Sequence, residues 1–359
     1  MKKIVKFGII PGILVLVIAI FTFFLLYSFN VNKPASEQSK DIHFVIEEGQ
    51  GVKVIGKNLL DQGLIRSKFW FELYVWFQGK SGDFQAGDYI LNTNNSIVET
   101  VRILTAESYA GRTEKNEVTI QIPEGWTLKQ IGDHLEEKGV FSQKDWLDAV
   151  GHPRTDYRQE DERSKPMSIS GDLDVLGSKP EYLSWEGYMF PDTYRIYNNS
   201  NPKEVAWKML SNLDSKLTPK MLRDIKKQDK TIHEILSMAS LLEKEVSNKK
   251  DMEIVSGIFW TKLKRGERLR SCATLAYILE ENKAQYTTED TQVRSDYNTY
   301  ANKGLPPTPI CNPGLQAIKA AIYPQYSSYN FFLTDPETKK TIFSKTFSEH
   351  KRNKEKYLK

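Results

Sequence analysis

The sequence predicts an α+β fold carried on a single transmembrane helix, and three observations predict it. Phe7 to Phe29, "FGIIPGILVLVIAIFTFFLLYSF", runs for 23 residues without a charge. Phe44–Trp70 and Ile120–Trp146 are two copies of one strand–helix–helix pattern. The back half mixes amphipathic helices, short strand-like runs and a long Pro/Gly-rich loop. At 359 residues the chain has room for two or three domains, and 40% hydrophobic content is enough to build cores. The net charge of +4, from 50 Lys+Arg against 46 Asp+Glu, is spread along the chain and argues against nucleic acid as a partner. Five His and two Cys are scattered without ligand-like spacing, so no metal site is expected.

A membrane-spanning helix needs roughly 20 apolar residues, and residues 7–29 meet that length. Lys2, Lys3 and Lys6 lie in the 1–6 tail before it. The positive-inside rule then puts the N-terminus in the cytoplasm and everything after about Asn30 outside the inner membrane. A cleaved signal peptide is the alternative. Against it, the run is long and no small-x-small cleavage site follows. Residues 30–40, with "NKPASEQSK", form a polar tether.

The two copies align without a gap at a shift of 76 residues. Ile46, Glu48, Gly49, Lys53, Ile55, Gly56, Leu59, Gly63, Lys68 and Trp70 match Ile122, Glu124, Gly125, Lys129, Ile131, Gly132, Leu135, Gly139, Lys144 and Trp146. Each copy reads as a strand, a turn at "EG", an amphipathic helix ending at Gly63 or Gly139, and a second helix start. "AGDYIL" (Ala86–Leu91) and "SIVETVRILTAE" (Ser96–Glu107) complete a first α/β module over residues 41–109. The second copy falls in residues 110–150. Its short strand–helix–helix unit resembles a LysM-like module, a resemblance that implies binding to glycan chains containing N-acetylglucosamine; a purely structural spacer remains the alternative. Residues 151–183 turn polar and read as an exposed insertion or linker.

Residues 184–359 carry the expected chemistry. On a wheel at about 100° per residue with Ile235 at zero, Ala239, Leu242 and Val246 fall within about 40°, and Glu243 at about 80° lies inside the apolar arc. Lys244 points away, and Glu245 lies beyond the opposite edge. A carboxylate against an apolar wall loses hydration and its pKa rises, so Glu243 has the character of a glycosidase acid. An ion-paired glutamate at a helix edge fits the same pattern. "SWEGYMFPDTY" (Ser184–Tyr194) sets Trp185, Tyr188, Phe190 and Tyr194 around Glu186 and Asp192. It reads either as a sugar-binding groove or as an aromatic core strand. "DYNTYANKGLPPTPICNPG" (Asp296–Gly314) reads as a long ordered loop, and "FFLTD" with "TIFSKTF" as a closing strand pair.

"EGYMFPDTY", "ASLLEKE", "IFWTKLKRGERLRSCATLAY", "YNTYANKGLPPTPICNPGLQAIKAAIYP" and "FSEH" follow one another as they do in the MltG/YceG-like family of endolytic murein transglycosylases, which the chain resembles over nearly its whole length. The resemblance implies a bitopic inner-membrane enzyme with an extracytoplasmic, mixed α+β catalytic domain and no cofactor. Such an enzyme cuts nascent peptidoglycan between N-acetylmuramic acid and N-acetylglucosamine, leaves 1,6-anhydromuramoyl ends and limits strand elongation. Its partners would be glycan strands, the membrane and cell-wall synthases. The first glutamate of the family's "E-K-E" motif is Glu243 here, the implied catalytic acid. The substrate-binding set implied around it is Glu186, Tyr188, Asp192, Glu245, Thr274, Tyr297, Asn298, Thr299 and Tyr300. A hydrolytic muramidase using a second carboxylate (Glu186, Asp192 or Asp296) and a non-catalytic peptidoglycan-binding scaffold are the rival readings.

The chain departs from the family pattern at several places. Cys272 stands where Asp is usual, and Cys311 where a small residue or Thr is usual. Thr261-Lys262-Leu263 replaces "N-R-L", and Thr341 lies near the place of a usual His. The two cysteines form either a disulfide across the "LRSCAT" segment and the loop or two separate thiols.

Overall fold

The computed structural model describes residues 6–106, 116–159, 165–169, 173–283 and 285–358. Most of the expected 1–6 tail, the start of the second module, and residues 160–164 and 170–172 of the polar stretch lie outside the described residues. The chain divides into two compact units, residues 1–117 with 169–172 and residues 118–168 with 173–359. Both mix helices with short two-stranded sheets, the α+β content that the sequence predicts.

The first unit opens with α1 (Lys6–Asn32), a helix long and apolar enough to cross a membrane. Its side chains from Leu14 to Phe29 are mostly exposed. There follow β1 (Asp41–Ile46), α2 (Val52–Asp61), α3 (Lys68–Phe77), β2 (Gly87–Asn92) and α4 (Ile97–Leu104). β1 and β2 pair antiparallel, with Phe44 opposite Tyr89. Alternation along both strands turns Phe44, Ile46, Tyr89 and Leu91 inward onto Ile55, Leu59, Phe71 and Leu104. A capping box of Ser96 and Glu99 starts α4.

The second copy of the repeat opens the second unit as β3 (Glu117–Gln121), α5 (Leu128–Glu137) and α6 (Gln143–Val150). The shared glycines have physical reasons. Gly63 and Gly139 end their helices at φ +69° and +71°, and Gly49 and Gly125 turn at +80° and +79°. A Cβ on Gly56 would lie 2.9 Å from Phe71 Cδ1, and one on Gly132 2.9 Å from Trp146 Cδ1. Each helix pair therefore meets through a missing side chain. The copies differ in their strand partner. β3 pairs with β4 (Thr193–Tyr197), from beyond the polar stretch, so the second copy is built into the larger unit and does not stand as a separate module.

The described part of 151–183 is packed. Tyr157 and Val175 are buried in short 3-10 turns, and Asp156 bridges to Leu183. Ile169 and Leu183 are buried as well, so the stretch read as an exposed insertion or linker carries apolar anchors within its polar composition.

After β4 come α7 (Pro202–Lys216), α8 (Pro219–Lys227), α9 (Ile232–Glu245), α10 (Lys249–Lys264), α11 (Cys272–Leu279), α12 (Leu315–Ile322), β5 (Phe331–Thr334), β6 (Thr341–Ser344) and α13 (Phe347–Tyr357). β5 and β6 form the expected antiparallel pair. Residues 293–314 carry no helix or strand, as the Pro/Gly content requires. α9 is the hub. Every residue from Ile235 to Leu242 is buried, with α8, α10, α11 and α12 packed around it.

Gly257 on α10 faces the backbone of Gln325, whose oxygen would lie 2.3 Å from an added Cβ. A carbonyl cannot rotate away as a side chain can. Gly257→Ala is expected to lose about 1–3 kcal/mol by overpacking, and Gly132→Ala less, with helix propensity returning up to about 1 kcal/mol to each. Chemical denaturation of the two variants checks this order; equal midpoints would contradict it.

Candidate active site

Glu243 lies in the last turn of α9. Its Oε2 accepts a hydrogen bond from the Gly314 N–H at 3.0 Å, at the start of α12. At Gly314 the Glu124 carboxylate lies where a Cβ would go, with Oε1 1.9 Å from that point, so any side chain there would displace the exposed Glu124 side chain. Glu124 belongs to the "EG" turn of the second repeat copy, and a Cβ on the adjoining Gly125 would lie 3.5 Å from Glu243 Cγ. Two carboxylates therefore flank one glycine. Burial pushes the Glu243 carboxyl above the usual carboxylate range. The Gly314 N–H opposes that shift, the Glu124 charge adds to it, and Lys244 opposes it.

The turn is held by backbone pairing. Gly125 N donates to Asn312 O at 2.8 Å, and Asn312 N donates to Trp126 O at 2.8 Å. The Asn312 side chain donates to Trp126 O and to Glu186 Oε1, and its Oδ1 accepts from Met189 N. Glu186 in turn accepts from Leu128 N, the first residue of α5, at 3.0 Å. It is fully buried, and desolvation pushes its pKa up to about 8.

The wheel placed Glu245 off the packed face, and the structure corrects this. α9 is buried on every side from Ile235 to Leu242, and in its last turn Lys244 is exposed while Glu243 and Glu245 are half-buried. Glu245 accepts from Ser271 Oγ and from the Ala273 N–H, and burial raises its pKa too. It lines a cleft of about 540 Å³ together with Lys244, Thr127, Lys129 and Gln130 of the second repeat copy, and Cys272, Tyr277 and Glu280 at α11. Lys129 (2.9 Å) and Arg154 (2.7 Å) both pair with Glu280 across this cleft. Glu243 lies next to the cleft through Lys244 and is not part of its lining.

Most of the expected substrate-binding set is buried, with polar atoms already paired inside the fold. Glu186 and Tyr188 are fully buried; the Tyr188 hydroxyl meets His233 Nδ1 at 2.9 Å, while His233 Nε2 meets Pro307 O at 2.8 Å. A carbonyl only accepts, so His233 carries its proton on Nε2 and Tyr188 donates. Asp192 is exposed and engaged by Asn212, Lys216 and Thr193 N, away from the cleft. Asp296 is exposed and also outside the lining. Tyr297, Asn298, Thr299 and Thr274 are buried, with polar atoms taken up inside the fold. The Tyr297 hydroxyl pairs with Thr308, Asn298 donates to Thr291 O and Val293 O, and Thr299 Oγ1 accepts from Ser271 N and pairs with Thr274. The motif thus fixes Ser271, which holds Glu245. Tyr300, half-buried, meets Cys272 Sγ at 3.1 Å. Cys311 is buried, with Sγ on Ser240 O, and both thiols are free. The disulfide alternative is set aside, since the two sulfurs have different partners.

Sequence reading missed Glu124 and Asn312. A signal existed for the first, since the repeat retained glutamate at both Glu48 and Glu124.

The YceG-like family matches residues 44–356. The chain belongs to the YceG-like family. It is 30% identical over 336 residues to an endolytic murein transglycosylase of Bacillus subtilis (strain 168), covering 93% of this chain and 89% of that one. A protein of the same name from Streptococcus pneumoniae serotype 2 is 30% identical over 86% of this chain and 57% of its own length. A crystal structure of a yceG-like protein from Listeria monocytogenes superposes with a TM-score of 0.55 at 29% identity, covering 88% of this chain and all of that one.

Glu186 gives this YceG-like fold a pH signature. Its folded-state pKa of about 8 lies above the ordinary 4.5. Between those values the unfolded chain releases a proton that the fold keeps, so stability is complete below about pH 4.5 and is lost as pH rises toward 8. Glu186→Gln is expected to flatten the fall in thermal midpoint between pH 5 and 8. A difference between variant and wild type that stays constant with pH would contradict the assignment.

Proposed function

We propose that this chain cleaves peptidoglycan glycan strands internally, between N-acetylmuramic acid and N-acetylglucosamine, as a membrane-anchored lytic transglycosylase with Glu243 as proton donor. Its membership of the YceG-like family, with relatives named endolytic murein transglycosylases, supports the reaction class. The observation that carries the residue assignment is the half-buried Glu243 carboxyl, held by one N–H and kept proton-rich by burial beside the cleft. Among the described residues Glu245 has two donors, Ser271 Oγ and Ala273 N–H, and Glu243 has one, the Gly314 N–H, which leaves an oxygen for a substrate.

In this reading Glu243 gives its proton to the glycosidic oxygen as the bond to C1 breaks. The resulting carboxylate takes the proton of the muramic acid C6 hydroxyl, whose oxygen bonds to C1 of the same sugar. The outcome is a 1,6-anhydromuramoyl end, with no water consumed and no covalent enzyme intermediate. One carboxyl group does both transfers, where ordinary glycosidases use a pair. The second repeat copy acts as a LysM-like glycan-binding wall, a reading supported by Thr127, Lys129 and Gln130 lining the cleft. α1 serves as the single-pass anchor; Lys2, Lys3 and Lys6 favour a cytoplasmic N-terminus and an extracytoplasmic remainder.

Digesting purified glycan strands and weighing the products tests the reaction. Anhydro ends are expected; reducing ends, one water heavier, would mean a muramidase, and uncut strands a binding scaffold. Glu243→Gln is expected to lose roughly 10²–10⁴ in turnover, with Glu245→Gln milder. An equal or larger loss at Glu245 would move the acid role there. Glu124→Gln removes a negative charge that raises the Glu243 pKa, so the alkaline limb of the pH–rate profile is expected to move toward acid. No movement would separate Glu124 from the proton transfer.

A further inference from the structure

α3 has two apolar faces: one is buried in the core of the first unit, and the other is covered only in part, by α1. Phe71 and Val75 point into the core and are fully buried. On a helical wheel with Phe69 at zero, Leu73 lies at about 40°, Trp76 at about −20°, Phe77 at about 80° and Trp70 at about 100°. This second arc contains no charge. Phe69, Trp76 and Phe77 are 60%, 68% and 47% exposed, and such a patch of large rings marks an interaction surface. The two charged residues of α3, Lys68 and Glu72, lie outside the arc and pair with each other at 3.5 Å.

The arc adjoins α1. The Trp70 ring lies 6.0 Å from Phe23 and 6.3 Å from Tyr27, and Phe77 lies 5.5 Å from Tyr27. Tyr27 and Phe23 precede Phe29, the end of the uncharged run, by about 3 Å and 9 Å of helix rise. Interfacial helices sink roughly 5–10 Å into the boundary between headgroups and acyl chains. Trp and Tyr concentrate at that level. Cations stand just beyond it: Lys33 lies over the Phe29 ring at 5.0 Å, and Arg66 donates to Ala35 O at 3.0 Å. Positive side chains at that level suit an anionic lipid surface.

We propose that α3 is docked in the membrane that α1 crosses, with Phe69, Leu73, Trp76 and Phe77 seated in the headgroup–acyl boundary of the outer leaflet. The first repeat copy is then a membrane-lying foot, and α1 with α3 fixes its tilt against the bilayer. This rests on the reading of α1 as a span.

The test uses the full chain in vesicles of phosphatidylethanolamine and phosphatidylglycerol, with a nitroxide attached at Trp76→Cys in a Cys272→Ser background. Phe69→Cys is a second position on the same arc, Leu16→Cys reports on the span, and Asp61→Cys reports on solvent. Collision rates with oxygen and with a nickel chelate distinguish lipid from water. The expected oxygen-to-nickel ratio at 76 and 69 is several-fold above that at 61 and approaches that at 16. A ratio at 76 and 69 equal to that at 61, with 16 in lipid, would overturn the docking and leave the span standing. Exclusion of both reagents at 76 and 69 would mean that protein covers the arc, and would overturn it too. A water-exposed Leu16 position would remove the span, and the docking with it.

Discussion

Two backbone hydrogen bonds, between Gly125 and Asn312 and between Asn312 and Trp126, are the constraint on which the candidate site depends. They join the "EG" turn of the second repeat copy to the loop that starts α12. Without them Glu124 would not reach Gly314, and Gly314 would not present its N–H to Glu243 in the same setting. The pairing also explains why the second copy is part of the larger unit, although its sequence repeats a unit that has its own hairpin strand. Asn312 fixes both sides of the joint by binding Trp126, Met189 and Glu186. Glu186, buried and accepting from Leu128 N, closes the network on the α5 backbone.

Opposing influences act on the Glu243 carboxyl, and burial is the largest of them. Desolvation and the Glu124 charge hold the proton; the Gly314 N–H and Lys244 favour its release. The same buried region pushes the neighbouring Cys311 thiol up, and Glu243 contributes to that shift. Glu245, one turn-width away, is tied instead to Ser271, and Ser271 is fixed by Thr299 of the YNTY motif. Two glutamates separated by one lysine therefore have different surroundings. In the proposed reading one transfers protons, and the other anchors α11 against α9.

Much of this was legible in the sequence, for reasons that can be named. The repeat was visible because its glycines answer local demands, a left-handed turn or a helix crossing without a side chain, and these recur wherever the unit recurs. The position of Glu243 on a packed face was visible because the apolar arc of α9 includes it. Glu245 escaped the wheel because its carboxyl is held by Ser271 and Ala273 of the α11 segment, a contact across 26 or more residues that no local periodicity reports. Tyr188, Asn298 and Thr299 are buried with their polar atoms paired, and sequence does not distinguish a polar side chain that waits for a ligand from one already satisfied by a carbonyl or a histidine. The partnership of Glu124 with Glu243 spans 119 residues, and no local periodicity reports a contact at that range.

The account stands most directly on the proton affinity of one group. Carbon-13 spectra of the full chain with labelled glutamate carboxyls, assigned by the signal missing from Glu243→Gln, give the pKa of Glu243. The account predicts a value above the ordinary 4.5 that coincides with the alkaline limb of glycan cleavage. A Glu243 that titrates at or below that ordinary value, with the alkaline limb elsewhere, would contradict it.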